Sequence, residues 1–350
     1  MNDNTKLMVG AGLGFALGAM WYYSRRGKAR FGVATPSMAA RDAGSLVTGS
    51  YSVPDGFQLP DLSSKEAFFG SLSTNAVTRS QQIYEAIKTR PSALETPTFV
   101  DVVLPDFNGH TGIARVTSDA VKLFGVRVNI DQYFGQLVTD VFGGVPMTRK
   151  VANAVYQAAS YTPDPTVYAQ LPGLRPALAD MSTTQAMLLH SQLVDEKLSK
   201  LGDDGSASNL RANLGKDWLL NGSFWMPGTN GYPYCGRAGM SGSVPLVHTS
   251  VNYGWWSPGT SVASPIQGAA NCHDYHHSDY SQVLRFLDGS MTVDGETRNT
   301  ADVIMDPELA GLLIDEAALK GFRHPGVPLD DSAPGAVVEP IIWAFGPRGK

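Results

Sequence analysis

The sequence predicts an α+β fold. One main domain has a helical N-terminal half and a strand-rich, loop-rich C-terminal half, and a transmembrane helix precedes it. Three observations carry this expectation. Residues 7–23 form an uncharged run of 17 residues, rich in Gly, Ala, Leu and Met. Between residues 63 and 202, apolar side chains recur at helical spacing behind Ser and Thr caps. From Lys216 onward, short apolar runs separated by Gly, Pro and Asn replace that spacing.

Bulk properties set the limits. The 350 residues suit one large or two ordinary domains, and 43% hydrophobic content is enough for a packed core. A net charge of −5 excludes a nucleic-acid partner held by overall charge. Two cysteines, Cys235 and Cys272, can make at most one bridge, and their spacing matches no zinc pattern.

The membrane segment comes first. At ~1.5 Å per residue a helix over 7–23 spans roughly 25 Å, the short end of a membrane span. Trp21, Tyr22 and Tyr23 stand at its end, where an aromatic belt belongs, and Arg25, Arg26, Lys28 and Arg30 follow. The basic flank predicts a cytoplasmic C-terminal side, which conflicts with a cell-wall substrate; a phage or virion membrane would escape that conflict. A signal peptide fits poorly, because the charges follow the apolar run. A dinucleotide loop at Gly10, Gly12 and Gly14 lacks both the third spacing and a preceding strand. Gly10, Gly14 and Gly18 put a glycine stripe on one helix face, which predicts homo-oligomer contacts in lipid. The expected organisation is an anchor over 1–30, a flexible linker over 31–62, a globular domain over 63–330 and a Pro/Gly-rich tail over 331–350.

Within the domain, Ser63 with Glu66 has capping-box spacing and opens a helical stretch that Pro91 ends. Residues 99–104 and 121–128 read as strands, with a polar turn carrying His110 between them. Residues 130–142 read as a helix stopped by Gly143-Gly144, and Thr148 caps the next one. Ser182 with Gln185 opens a helix that Gly202 terminates, with His190 packed inside it. Residues 244–248 and 250–256 read as extended. Residues 283–287 and 291–293 read as a hairpin turning at Asp288-Gly289. Asp306-Pro307 leads into a short helix over 308–314.

The chemistry concentrates at residues 271–285. His273, His276 and His277 lie within five residues, interleaved with Cys272, Asp274, Asp279, Tyr280 and Ser281. In this chain Tyr253-Gly254-Trp255 is followed by His273 or His277, then Asp279-Tyr280-Ser281, Arg285 and Val293-Asp294-Gly295. Lys216-Asp217 lies upstream before an apolar run, and Pro146-Met147-Thr148-Arg149-Lys150 before a helix. In these residues, 98–316 resembles a family of uncharacterised bacterial and phage-associated proteins that has no established activity. The resemblance implies a site in this region. Two departures stand out: Gln282 replaces the family's histidine after Asp-Tyr-Ser, and one extra residue falls within 146–150.

Three chemistries use these residue types. In a serine hydrolase, Ser281 needs a histidine to take its proton and Asp279 or Asp217 to orient that histidine, yet no nucleophile-elbow glycines surround it. A zinc site draws on His273, His277, His276 and Asp279, with spacing that matches no known pattern. A metal-free constellation sets His277, Asp279 and Asp217 to work on a polar polymer held by Lys216, Tyr253, Trp255, Tyr280 and Arg285. The plain alternative is a buried polar network with no chemistry. If residues 279–281 begin a strand, Asp279 and Ser281 share a face, and His276 is the least useful histidine.

The expectation is a single-pass membrane hydrolase acting on a cell-envelope polymer such as peptidoglycan. Its catalytic residues are His277, Asp279, Ser281, His273 and Asp217, and it needs no cofactor, with zinc as the alternative. The rival expectation is a virion or membrane assembly protein that oligomerises through the glycine stripe.

Overall fold

The computed structural model describes residues 50–174, 178–225 and 246–332. The expected anchor over 7–23, its glycine stripe, Cys235, the side chain of Cys272 and the tail beyond 332 lie outside the described residues. The described residues all fall in one compact unit, and helices and mixed sheets share it, so the α+β class holds. Among the described residues no helix is long and apolar enough to cross a membrane.

The helices begin where short polar side chains can accept the orphan N–H groups of a first turn. Ser64 caps α1 (Lys65–Ser71) and Asn75 caps α2 (Ala76–Lys88). Asp131 caps α3 (Gln132–Val141), accepting from Phe134 N at 2.8 Å. Thr148 caps α4 (Arg149–Ala158). After the short α5 (Leu178–Met181), Thr183 caps α6 (Thr184–Lys200). Two expected caps are displaced by one residue. Ser64 replaces Ser63, and Thr183 replaces Ser182, whose hydroxyl instead donates to Ser278 O at 2.8 Å. In each pair two hydroxyl residues are adjacent, and only packing decides between them.

The larger sheet has the order β1-β2-β10-β11. Its strands are β1 (Phe99–Phe107), β2 (His110–Thr117), β10 (Phe286–Val293) and β11 (Glu296–Asn299), with β5 (Val145–Pro146) beside β10. β1 and β2 turn at Asn108-Gly109, both at positive φ (50° and 83°), the backbone a two-residue hairpin needs. The second sheet has the order β8-β7-β6-β9. It comprises β6 (Lys216–Trp218), β7 (Thr249–Gly254), β8 (Gln267–Asp274) and β9 (Gln282–Val283), with only β6 and β9 parallel. Val102, Val116 and Met291 of the first sheet share one core with Val251 and Tyr253 of the second and Val151 and Val155 of α4. A second core joins Ile83, Tyr84 and Ile87 of α2 to Phe134, Leu137 and Val138 of α3. Tyr51 joins this body, donating to Glu85 Oε1 at 2.7 Å, so the packed chain begins before residue 63.

Several sequence expectations change. Residues 121–128 are not one strand but a tight hairpin, β3 (Lys122–Leu123) and β4 (Val126–Arg127), because Phe124 and Gly125 both take positive φ. The hairpin expected at Asp288-Gly289 turns instead at Asp294-Gly295 (φ 52° and 83°), pairing Val293 with Glu296. Gly289 lies inside β10 because a Cβ there would come within 2.5 Å of Gly143 O. Residues 246–248 form a 3-10 turn rather than an extended run, and the helix expected over 308–314 shrinks to a 3-10 turn over Ala310–Leu312. α7 (Thr300–Met305) follows β11 directly and is capped by Asn299.

Candidate functional site

The loop between β8 and β9 holds the densest polar chemistry. Residues 279–281 are a turn, not a strand start. Asp279 Oδ1 accepts from Ser281 N at 2.8 Å and from the Ser281 hydroxyl, and Asp279 N donates to Gln282 Oε1 at 2.6 Å. Asp279 and Ser281 therefore meet through a local side-chain-to-backbone turn rather than by strand alternation. Tyr280 N donates to Met181 O at 2.8 Å, which pins the turn to α5.

Asp279 Oδ2 faces two basic side chains. Lys216 Nζ lies 3.5 Å away, and His277 Nε2 lies 3.8 Å away. Burial alone would raise the Asp279 pKa. The Lys216 charge, the neighbouring His277 ring and the hydrogen bonds from Ser281 outweigh it and hold the carboxyl far below the usual carboxylate range. His277 is the open member, with its side chain 33% exposed against 15% for Asp279. Its ring stacks on His273 at 4.0 Å. Stacked imidazoles direct their in-plane lone pairs along parallel lines, so these two do not converge on one metal position. Among the described residues, no group of three or more His, Cys, Asp or Glu side chains is arranged to hold a metal ion.

Trp255 completes this site. It follows Gly254 at the end of β7, and both take positive φ (58° and 123°). A left-handed tryptophan is a backbone outlier of the kind that surrounding structure must enforce. The turn brings Lys216 Nζ to 5.5 Å from the Trp255 ring centre, within cation–π reach. Tyr280 packs behind, 6.2 Å from Trp255 and 5.4 Å from His190. His190 is buried, and that burial pushes its pKa down to about 3, so it is a neutral packed histidine.

Other expected residues lie elsewhere. Asp217 sits next to Lys216 on β6, and strand alternation turns the two side chains to opposite sides of the sheet. Its carboxyl is buried, and burial raises its pKa to about 6 against the opposing charge of Arg285. Arg285 donates to Thr117 O at 2.9 Å and lines a small cavity with Gln132, Gln136 and Trp218. Tyr253 is in the core and donates its hydroxyl to Asn153 Oδ1 at 2.8 Å. The β8–β9 loop and the adjoining strands thus bring together Lys216, His273, His277, Asp279 and Ser281, with the buried Trp255 and Tyr280 behind them, and leave Asp217, Tyr253 and Arg285 elsewhere in the interior.

His276 behaves unlike the sequence expectation. Its Nδ1 lies 3.3 Å from Oδ2 of Asp131, a fully buried carboxylate. The sequence reading did not single out Asp131, and nothing local marks a histidine 145 positions away as its partner.

No family model, curated protein or solved structure matches this chain.

Proposed function

We propose that the protein is a hydrolase-like enzyme, anchored in a membrane, that acts on a cell-envelope polymer such as peptidoglycan. His277 carries the proton, Asp279 orients and balances its charge, and Lys216 supplies positive charge to an anion forming beside them. The observation that carries this reading is the ionised Asp279 flanked by Lys216 at 3.5 Å and by the half-open His277 at 3.8 Å. A largely buried carboxylate kept charged beside a partly exposed histidine is an arrangement acid–base catalysis uses. Ser281 serves as a positioning residue for Asp279. Trp255 is itself buried and packs its ring beside Lys216, holding that ammonium in place next to Asp279. The chemistry asks for no cofactor. Zinc is the alternative, and the metal content of the purified full chain tests it.

The membrane placement rests on the uncharged run at 7–23 and its aromatic and basic flank. A phage or virion membrane accommodates the basic flank with a domain that reaches the envelope. The stripe of Gly10, Gly14 and Gly18 favours a second reading, an assembly protein whose copies associate in lipid. One experiment separates them. The full chain and a chain lacking residues 1–30 are incubated with purified sacculi, and soluble fragments are measured. The enzyme reading expects release by both and at least a hundredfold loss in His277→Ala. Absence of release by the wild-type chain, with self-association lost on removing residues 1–30, supports assembly instead.

A further inference from the structure

Asp131 and His276 form a separate buried arrangement. Asp131 is 0% exposed, and each of its polar groups has an assigned neighbour. Its N–H donates to Ser80 Oγ at 3.2 Å, Oδ1 accepts from Phe134 N at 2.8 Å, and Oδ2 faces His276 Nδ1 at 3.3 Å. The imidazole is held from three sides. Its ring lies 4.4 Å from Tyr275, 4.7 Å from Tyr133 and 5.9 Å from Phe134. The His276 N–H donates to Asp274 Oδ1 at 2.9 Å, which fixes the backbone as well.

The geometry allows one productive tautomer. With Asp131 ionised, Oδ2 can only accept, and Nδ1 carries the proton. Nε2, on the other side of the ring, then has its lone pair directed away from Asp131, and the side chain is 29% exposed. A buried carboxylate that orients a histidine through Nδ1 and leaves Nε2 free is how an imidazole is prepared as a base. We infer that Asp131 and His276 form a second proton-transfer pair, with Nε2 of His276 the basic atom presented to a water or a substrate hydroxyl.

Burial opposes a charged Asp131, and its neighbours Arg79 and His276 favour one. Arg79 is 2% exposed, and its Nε and Nη1 have no hydrogen-bond partner among the described residues. Its positive charge and the Asp131 carboxylate attract one another. Burial raises the Asp131 pKa, while the hydrogen bond from His276 opposes that rise. Tyr133 and Tyr275, the other titratable groups against the ring, have phenols pushed up by burial and remain protonated. Asp274 reaches His276 only at its backbone N–H.

The proton balance is simple. The O–H bond of water or a hydroxyl breaks as that oxygen bonds to an electrophilic carbon. Nε2 takes the proton, Asp131 stabilises the imidazolium, and the proton passes to the leaving group as its bond to carbon breaks. The pair uses neither Asp279 nor Lys216.

The test uses the full chain labelled with 15N-histidine. Long-range 1H–15N spectra report which nitrogen of each imidazole carries hydrogen. The expected wild-type signature for His276 is a protonated Nδ1 and a bare Nε2. Asp131→Asn keeps a good helix cap but removes the anionic acceptor, so that signature should be lost. Diethyl pyrocarbonate, which acylates unprotonated imidazole nitrogen, should label His276 at least fivefold faster in the wild type than in Asp131→Asn. A wild-type His276 carrying its proton on Nε2 overturns the inference, even if the variant fails to fold. Equal labelling of a folded Asp131→Asn chain does so too. Neither readout needs a substrate, so this pair and the Lys216–Asp279–His277 reading can fail separately.

Discussion

Ser281 donates its hydroxyl hydrogen to Oδ1 of Asp279, while His277 faces Oδ2 of the same carboxylate. The carboxylate therefore stands between the serine and the histidine. A serine nucleophile requires the histidine in that middle position, to take the hydroxyl proton. The arrangement makes Ser281 a support for Asp279. Ser281→Ala is expected to keep activity within about tenfold of wild type, because the Ser281 N–H still donates to Asp279. A loss approaching the ~10⁶-fold typical of a removed serine nucleophile would restore Ser281 to that role.

Asp217 gives a stability prediction with a defined sign. Its folded pKa is raised from 3.8 to about 6 by burial, with Arg285 opposing. The unfolded chain therefore ionises this group first. Relative to Asp217→Asn, the wild type should lose stability as pH rises from about 4 to about 7. At roughly 1.4 kcal/mol per pH unit between the two pKa values, the change totals about 3 kcal/mol. Urea unfolding of both chains across that range measures it. The attraction of Arg285 is already contained in that folded pKa, so it is part of the pH dependence rather than an addition to it. Parallel stability curves for the two chains would contradict the assignment.

Two glycines predict unequal losses on substitution by asparagine. Gly295 has φ 83° and open space around its Cβ position, so Gly295→Asn is expected to cost under about 1 kcal/mol, because asparagine adopts that backbone more readily than other side chains. At Gly289 a Cβ would meet Gly143 O at 2.5 Å, so Gly289→Asn should cost about 1–3 kcal/mol through overpacking. Urea midpoints of the two variants check the contrast, and equal losses would place the hairpin turn wrongly.

That contrast also shows what the sequence could reveal. Asp288-Gly289 and Asp294-Gly295 are the same dipeptide, and local chemistry favours a turn at either. Only the approach of Gly143 to β10, a tertiary fact, keeps the first one extended. Helix bodies were legible because apolar spacing and caps are local signals: α3 and α4 fall where Asp131 and Thr148 can cap them. At the site, residue types located the loop over 271–285 and the Lys216–Asp279 neighbourhood. Side-chain direction was not legible. Residues 279–281 turn rather than extend, and Asp217 is carried to the opposite side from Lys216. The Asp131–His276 pair left no sequence trace, since its members are joined only by the packing of α3 against the loop.

The most direct measurement of the proposed function is release of soluble fragments from purified sacculi by the full chain and by Asp279→Asn. The amide can still accept from Ser281 through Oδ1, but it carries no charge for Lys216 or His277. The account predicts a fall of at least about a hundredfold in release, the size expected when acid–base catalysis loses its support. The melting temperature should stay within a few degrees of wild type. A folded Asp279→Asn chain that releases fragments at the wild-type rate would contradict it.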